Sequence, residues 1–383
     1  MILQRGINIL KKYFLYGYYG FGNLGDDLLL SAIIKNIRNE DANAKFVIRS
    51  FNEGPILGKN IVYTCIDRIL NNKRQSSKVK NFISYALNLV RYMRNCDTVI
   101  LGGGTLIHDT HSMGNLLIIF LMVLFSKLYQ KQVYFIGIGI ANLNYNMSKR
   151  LLKLIVKMSD FFSVRDEESY KELLVNRCDV SKVVKTDDLV YTLWNPLYKK
   201  RAKKGYVCNN IGITLVDGSI DNKKIENVIV PYVNALLKNK ANKIILMPFH
   251  NMKSSDYIYT VSDIDIMYRI KDRIASAQID IRPVNLNNYL DVYKDLDFVV
   301  GMRFHSLVLA AMHSIPFLGI IHDNKIKDIC DVFEMDSINV EKINSDDLYK
   351  KTENMLVKEI NFTTLERMKK NAMKNFDFIK GEK

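Results

Sequence analysis

Short β-type runs alternate with helical patterns along most of the chain, and no other feature constrains the fold as strongly. Such alternation is typical of parallel sheets with helices on both faces. In the first half, the predicted strands are Lys12–Tyr18, Lys45–Ser50, Thr98–Gly102, Val133–Gly139 and Phe161–Val164. The predicted helices between them are Asp26–Arg38, Ser77–Arg94, Asn115–Tyr129, Ser148–Lys157 and Glu167–Asn176. A second series has strands at Asn210–Leu215, Lys243–Pro248, Asp280–Pro283, Phe298–Val300 and Phe317–Ile321. The sequence therefore predicts an α/β protein with two doubly wound, Rossmann-like sheets.

The periodicity lapses between Trp194 and Tyr206, where a proline, a glycine and five basic residues occur without an acidic one. A chain of 383 residues is long enough for two domains. We therefore predict an N-terminal domain over residues 1–194, a linker over 195–206 and a C-terminal domain over 207–383. The helical pattern Thr363–Ile379 is placed to pack back on the first domain.

Composition excludes several classes of protein. With 48% hydrophobic and 25% charged residues and six prolines, the chain is neither disordered, nor collagen-like, nor a disulfide scaffold. Its five cysteines include no CxxC pair, which indicates reduced thiols in a cytoplasmic protein and no zinc ribbon. The net charge of +15 predicts an anionic partner, which is a nucleic acid, a membrane surface or a phosphorylated substrate.

Two segments bear on membrane contact. The most apolar run, Leu116–Phe125, is half as long as the ~20 residues that span a bilayer, and it is interpreted as a buried helix. Arg68–Arg94 has seven basic residues and no acidic one, with apolar residues interleaved at helical spacing. It is interpreted as a solvated helix with a core-facing side, and the same pattern suits contact with a membrane or another polyanion. No nucleic-acid motif accompanies the charge, so we expect a cytoplasmic protein, peripheral at the inner face of the membrane.

A glycine loop, Gly20-x-Gly22-x-x-Gly25, joins the first strand to the first helix. Its spacing matches a dinucleotide-binding site, but Asp26 and Asp27 open the helix where a pyrophosphate would lie, and they would repel it. The acidic ribose ligand expected at the end of the next strand is also missing. Glycines that let the backbone approach a sugar, with a carboxylate that accepts a hydroxyl proton, fit better. Asp26 is alternatively a helix N-cap without a catalytic role.

Two further motifs follow buried strands of the first domain. Gly102, Gly103 and Gly104 end the strand beginning at Thr98, where bare N–H groups form a potential anion site. His108 and His111 lack a third ligand, so no metal is expected. Arg165 ends the strand Phe161–Val164 and is interpreted either as a clamp for a carboxylate or phosphate, or as a salt-bridge partner of Asp166 or Asp188.

The sharpest motif lies in the second domain, where a hydrophobic strand leads into Arg303 and His305. Ser306 is expected to cap the helix behind them, which places both cationic groups at a strand's carboxyl end and a helix's positive end. Two other strands end similarly, one at His250 and one at His322-Asp323 with Lys325. Histidine suits general acid or base chemistry because it titrates near neutral pH.

Eight segments together resemble the polysaccharide pyruvyl transferases. In order they are GYYGFGNLGDD (17–27), ILGGGTLIHD (100–109), GIGI (137–140), SVRDEES (163–169), TDD (186–188), MPFH (247–250), GMRFHSLVLAA (301–311) and HDNKIKDI (322–329). The resemblance spans residues 15 to 330. It implies two Rossmann-like domains facing a cleft, similar to the GT-B glycosyltransferase fold. It also implies transfer of a pyruvyl group from phosphoenolpyruvate to two hydroxyls of a sugar, as a cyclic ketal. His322-Asp323 and Asp187-Asp188 depart from the family's usual residues and leave the choice of acceptor open.

The residue types agree with that chemistry. Phosphoenolpyruvate carries a phosphate and a carboxylate, and the expected ligands are Arg165, Arg303, His305, Ser306 and Lys325. One acid and one base suffice, without a metal or cofactor. We assign His305 as the acid or phosphate-assisting group and Asp26 as a possible base. The acceptor is expected to be a sugar of a cell-surface polysaccharide or its lipid-linked precursor, contacted mainly by the first domain, with cleft residues Gly22, Asn23, Asp26, Gly103, Gly104 and His250.

Two alternatives remain open at this point. A GT-B glycosyltransferase would use the same cationic residues to bind a nucleotide sugar. A non-enzymatic protein that binds a polyanion or a membrane surface would explain the net charge and the Arg68–Arg94 segment without catalysis.

Overall fold

The computed structural model describes residues 11–52, 54–55, 57–69, 78–110, 112–198, 209–218, 222–240, 242–251, 262–274 and 276–380. The chain divides into two compact units. The first comprises residues 1–21, 26–192 and 370–383, and the second comprises 22–25 and 193–369. Most of the predicted linker, residues 199–206, lies outside the described residues.

A parallel sheet forms the centre of the first unit. Its strands are β1 (Lys12–Tyr16), β2 (Lys45–Ile48), β3 (Ile61–Tyr63), β4 (Thr98–Gly102), β5 (Thr105–Ile107), β6 (Gln132–Ile140), β7 (Phe161–Val164) and β8 (Val183–Lys185). They lie in the order β3-β2-β1-β4-β6-β7-β8, and β5 pairs with β6. The central strands are buried on both faces, as near-continuous apolar runs require in a parallel sheet.

Helices connect these strands. They are α1 (Leu24–Glu40), α2 (Lys78–Arg94), α3 (Gly114–Leu128), α4 (Asn146–Met158) and α5 (Glu167–Val175). The end of the chain also belongs to the first unit, where the Phe378 ring lies 4.2 Å from that of Tyr134 and the buried Asn375 accepts a hydrogen bond of 2.6 Å from Ser163. The C-terminal helical pattern therefore ends against the first sheet.

The second unit is built on another parallel sheet. Its strands are β9 (Asn210–Thr214), β10 (Lys243–Leu246), β11 (Ile279–Ile281), β12 (Phe298–Gly301), β13 (Phe317–Ile321) and β14 (Ser337–Asn339), in the order β11-β10-β9-β12-β13-β14. Its helices are α6 (Asn222–Leu237), α7 (Asp263–Ile274), α8 (Tyr289–Asp295), α9 (Phe304–Met312), α10 (Asn324–Val332) and α11 (Ser345–Met355). Helix α12 (Phe362–Met373) and the short α13 (Asp377–Lys380) follow.

Both sheets reverse their strand order at the same place. In the first unit β1 lies between β2 and β4, and in the second β9 lies between β10 and β12. In open α/β sheets, ligands bind outside the carboxyl ends of the strands at this switch point. The loops that follow β1, β4, β9 and β12 are therefore the positions at which to look for function.

The predicted α/β class with two Rossmann-like sheets is confirmed, and most predicted elements are observed with small shifts at their ends. Prediction missed the three-residue strands β3, β5, β8 and β14, since three residues are too short to show a period. The apolar run Leu116–Phe125 lies within the partly buried helix α3. Among the residues described, no helix combines the length and apolarity needed to cross a bilayer.

Candidate functional site

A buried ion pair orients Arg303 at the carboxyl end of β12. The Asp263 carboxylate is fully buried, accepts a hydrogen bond of 2.9 Å from Arg303 Nε, and pairs with Nη2 of the same guanidinium. This two-point contact fixes the plane of the guanidinium. Among the described residues Nη1 has no hydrogen-bond partner, and a quarter of the Arg303 side chain is exposed. The exposed side of the group is therefore available to an anion.

Asp263 also organises the end of β10, although it belongs to none of the motifs in the sequence. Its Oδ2 accepts hydrogen bonds from the backbone N–H groups of Phe249 (3.3 Å) and His250 (3.0 Å). One carboxylate thereby links the ends of β10 and β12. The only signal in the sequence was an acidic residue in the first turn of a helix, which is commonplace at the positive end of a helix dipole.

His305 packs directly on Gly25. A Cβ atom added to Gly25 would lie 2.1 Å from His305 Nδ1, so a side chain at this position would displace the imidazole. The segment Gly22–Gly25 belongs to the second unit, where Leu24 N–H donates to Phe249 O (3.0 Å) and Asn23 forms an antiparallel bridge with His250. The absence of a side chain at Gly25 thus leaves the space that the His305 ring occupies.

Ser306 lies inside helix α9 rather than at its N-cap. The prediction that it caps α9 is wrong, because Arg303 occupies the N-cap and the helix begins at Phe304. The fully buried Ser306 hydroxyl donates to Arg303 O (2.6 Å) and lies 2.8 Å from Thr214 Oγ1. It therefore holds the turn that carries Arg303 and ties β12 to β9.

A third group of polar residues follows β13, the neighbour of β12. Asp323 caps α10, accepting from the Lys325 N–H, and its carboxylate lies 3.4 Å from Lys325 Nζ. Burial alone would raise the pKa of Asp323, but the charge of Lys325 and its hydrogen bonds hold that pKa below its ordinary value.

His322 precedes this pair. Burial lowers the pKa of His322, the charge of Asp323 opposes this effect, and the positive charge of Arg303 lowers the pKa further. A neutral imidazole and two cationic side chains, those of Arg303 and Lys325, thus follow adjacent strands. Together with His305 they suit a ligand with more than one negative charge.

In the first unit, two carboxylates open α1. A Cβ atom added to Gly104 would lie 3.5 Å from Asp26 Oδ1, so Asp26 lies over the loop that follows β4. Burial, and then the charge of Asp26, raise the pKa of Asp27 to about 7, against the opposing effect of a hydrogen bond from the Gly20 backbone. The Asp27 Oδ1 atom is buried without a hydrogen-bond partner among the described residues. A carboxyl with a pKa near neutrality, beside a second carboxylate, suits proton transfer.

Another glycine of the first unit, Gly103, lets the backbone lie close to a neighbouring side chain. Gly103 has φ of 68°, in the region that favours glycine, and a Cβ there would meet Leu29 at 2.9 Å. Beside this loop, Tyr18 Oη lies 2.7 Å from His108 Nε2. His111 lies outside the described residues, and within them no three His, Cys, Asp or Glu residues form a metal-binding group.

Arg49, which directly follows β2, occupies the position at which a dinucleotide-binding site would have its acidic ribose ligand. Its guanidinium is buried, pairs with Asp67 at 2.7 Å, and donates from Nη1 to Gly17 O at 2.6 Å. It also lies over the ring of Tyr16, 4.7 Å from the centroid. Arg49 therefore holds the end of β1 and the residue Gly17 that follows it.

Arg165 contacts both of the salt-bridge partners considered from sequence. It is 8% exposed, donates to Asp188 Oδ2 (2.8 Å), and lies 3.4 Å from Asp166 Oδ2. A further hydrogen bond of 3.3 Å joins it to Thr105. Arg165 belongs to the first unit, whereas Arg303, His305, Ser306, Lys325 and His250 belong to the second.

Comparison with solved structures identifies the fold. A UDP-GlcNAc 2-epimerase from Methanocaldococcus jannaschii is 13% identical with a TM-score of 0.63, and the match covers 97% of this chain and 99% of that one. The UDP-GlcNAc 2-epimerase from Neisseria meningitidis bound to UDP-GlcNAc is 13% identical with a TM-score of 0.58, and the match covers 97% of this chain and 100% of that one. A glycosyltransferase from Rickettsia africae is 12% identical with a TM-score of 0.59, and the match covers 97% of this chain and 98% of that one. These similarities confirm the predicted GT-B-like fold.

The sequence itself identifies the family. No curated protein matches the chain. The model of the family described as polysaccharide pyruvyl transferase matches residues 23–324, which include Asp26, His250, Asp263, Arg303 and His305. The chain therefore belongs to the polysaccharide pyruvyl transferase family.

Proposed function

We propose that this protein transfers the pyruvyl group of phosphoenolpyruvate to two hydroxyls of one sugar, forming a cyclic ketal and releasing phosphate. The observation that carries the proposal is the Arg303 guanidinium, which Asp263 holds in a fixed plane beside His305 at the switch point of the second sheet. This is the place and the charge that a small dianion or trianion requires. The acceptor is a sugar of a cell-surface polysaccharide or of its lipid-linked precursor.

The reaction balances without a cofactor. Protonation of the terminal carbon of the enol makes C2 electrophilic, and the first hydroxyl adds there as it loses its proton. The C–O bond to phosphate then breaks, and the second hydroxyl adds to C2 and closes the ring as it loses a proton. Of the two hydroxyl protons, one replaces the proton placed on carbon and the other leaves with phosphate.

In this scheme Arg303 and Lys325 bind the phosphate and carboxylate of the donor, and His305 is the acid or assists phosphate departure. Asp26 is the base that accepts a hydroxyl proton, with Asp27 as the neighbouring group whose pKa of about 7 also suits that step. Arg165 and Ser306 are omitted from the donor contacts, because protein oxygens already bind the Arg165 guanidinium and the Ser306 hydroxyl.

The test incubates the protein with phosphoenolpyruvate and a panel of free and lipid-linked oligosaccharides, measuring phosphate release and an added ketal by mass spectrometry. Arg303→Lys removes the fork geometry while keeping the charge, and we expect kcat/KM for phosphoenolpyruvate to fall at least 100-fold. Arg282→Lys is the control, since that arginine forms an exposed pair with Asp280 in the same unit. Equal activity of both variants would contradict the assignment.

A second candidate function, glycosyl transfer from a nucleotide sugar, is favoured by the fold shared with proteins described as bound to UDP-GlcNAc. Thermal-shift titration separates the two functions, because a ligand stabilises the folded protein that binds it. Stabilisation by phosphoenolpyruvate supports the ketal transferase, and stabilisation by a nucleoside diphosphate alone supports the glycosyltransferase. A non-enzymatic role predicts instead that His305→Ala leaves function intact.

A further inference from the structure

Three neighbouring helices of the first unit have an unusual charge distribution. Helix α3 packs against α2 on one side and α4 on the other. Together the three helices contain no aspartate or glutamate and nine basic residues, which are Lys78, Lys80, Arg91, Arg94, Lys127, Lys149, Arg150, Lys153 and Lys157. Lys127 pairs with Asp160, and the three helices supply no acidic residue of their own to offset their remaining positive charge. We refer to α2, α3 and α4 together as the three-helix face.

The outward side of α2 combines this charge with exposed apolar residues. Ile83 and Leu87 are 53% and 64% exposed, and Arg91 and Arg94 are exposed further along the helix. Positions 83, 87, 91 and 94 lie on one side of a helix, while Tyr85 and its inward neighbours enter the core. This helix spans most of the predicted Arg68–Arg94 segment, of which residues 70–77 lie outside the described residues.

The middle helix presents an apolar stripe. Leu117 and Leu128 are 39% and 66% exposed, and Phe120, Leu121 and Leu124 between them are half-buried. These positions recur at the three- and four-residue spacing of one helix side. A stripe of large apolar side chains on a solvent-facing helix is unfavourable in water unless another surface covers it.

Helix α4 adds apolar and basic residues on the far side of α3. Met147 and Leu154 are 51% and 43% exposed, and Arg150 is exposed between them. Beside this helix is a cavity of about 300 Å³, lined by Asn146, Lys149, Arg150, Lys153, Val175, Asn176 and Arg177. Four of these lining residues are cationic and none is acidic, so the cavity has the charge and polarity for a phosphate group.

We propose that the three-helix face docks on a bilayer of anionic phospholipid. Apolar side chains flanked by lysine and arginine are the composition of surfaces that lie in the headgroup region. The leucines and isoleucine then enter the acyl boundary, the basic side chains contact the headgroups, and the cavity beside α4 accepts a headgroup phosphate. The exposed apolar residues described within the three helices, which are Ile83, Leu87, Leu117, Leu128, Met147 and Leu154, are not aromatic. Exposed rings occur at the helix ends, at Tyr129 and Tyr145, where tyrosine also suits a bilayer interface. The scarcity of stacking platforms between the cations favours a bilayer over a nucleic acid.

The first test is sedimentation of the full chain with vesicles. We expect binding to vesicles of phosphatidylcholine with 30% phosphatidylglycerol, weakening as salt rises, and little binding to phosphatidylcholine alone. The triple variant Arg91→Glu, Arg94→Glu and Arg150→Glu should reduce partitioning by at least about 100-fold, because losing each basic charge alone weakens binding roughly five-fold and each new carboxylate adds repulsion. The control reverses three exposed lysines of the second unit, Lys240, Lys350 and Lys358, to glutamate and so has the same net charge.

Insertion is tested separately with tryptophan as a probe. Leu87→Trp should shift its emission to the blue on the anionic vesicles, whereas Val357→Trp in the second unit should not. The native Trp194 is 3% exposed and gives a constant background. Absence of vesicle binding by the natural protein, equal loss of binding in the control variant, or binding to an RNA duplex instead of vesicles would overturn the proposal.

The docking proposal does not depend on the reaction. The vesicle assays contain neither phosphoenolpyruvate nor acceptor, so a failure of pyruvyl transfer leaves their outcome unchanged. Conversely, the triple variant should retain turnover on a soluble oligosaccharide and lose it only on a lipid-linked one presented in a bilayer. Loss of turnover on the soluble acceptor would show that these arginines support the fold rather than docking.

Discussion

Replacing Asp27 with asparagine should make the protein more stable, increasingly so as the pH rises. The carboxyl has a pKa of about 7 in the folded protein and 3.8 as an ordinary aspartate, mainly because it is buried and next because Asp26 is charged. Each pKa unit corresponds to 1.36 kcal/mol, so ionised Asp27 destabilises the folded state by about 4 kcal/mol above pH 7.

The sign follows from proton binding. Between pH 4 and pH 7 the unfolded chain has lost the Asp27 proton and the folded protein retains it, so the free energy of unfolding falls as the pH rises. Asparagine cannot ionise and escapes this loss. From pH 5 to pH 8, the stability advantage of Asp27→Asn over the natural protein should therefore grow by about 2.5 kcal/mol.

The assay is urea unfolding followed by far-ultraviolet circular dichroism at pH 5, 6, 7 and 8. Asp346→Asn is the matched control, since Asp346 is an exposed carboxylate in the first turn of α11, and this variant should keep the pH dependence of the natural protein. If Asp27→Asn shows the same pH dependence as the natural protein, the carboxyl is not buried as described, and its role beside Asp26 would have to be abandoned.

Three further predictions concern other contacts. Gly25→Ala should lower kcat up to about 100-fold with little loss of stability, because the new methyl group displaces the His305 ring. Steady-state kinetics measures this effect, and an unchanged kcat would contradict the contact between Gly25 and His305. Asp263→Ala should destabilise the second unit by about 3 kcal/mol and raise KM for phosphoenolpyruvate, since it leaves Arg303 without its buried partner. Urea unfolding measures the stability and steady-state kinetics measures KM. A constant KM would show that the role of Asp263 is purely structural. Asn375→Ala should lower the free energy of unfolding by about 2 kcal/mol, because it removes the hydrogen bonds that this buried amide accepts from Ser163 and Thr186 and donates to Asp187 O. A melting temperature equal to that of the natural protein would contradict this.

The sequence by itself determined the class of fold and the family. Alternating strands and helices predict parallel sheets because apolar runs of strand length must be buried on both faces, and this local rule needs no knowledge of the tertiary structure. The same rule placed Arg303 and His305 at the carboxyl end of a strand, where β12 ends. The ordered motifs pointed to the family whose model matches residues 23–324.

Only the tertiary structure decided what each polar residue contacts. Asp263 is 40 positions from Arg303, and no local pattern pairs a helix-starting aspartate with that arginine. The sequence left open whether Arg165 clamps a ligand or forms a salt bridge, and the structure shows it paired with Asp188. Such pairings depend on which strand ends become neighbours, which the order of strands in the sheet sets.

The glycine loop illustrates the same division. The spacing of the loop predicts that Gly25 lets the backbone approach a ligand, but the atom that excludes a side chain there belongs to His305. Likewise, local composition predicted a basic helix near Arg94, while the assembly of α2, α3 and α4 into one basic and apolar face is visible only in the folded unit. Short-range periodicity specifies which elements form, and long-range packing specifies which side chains act together.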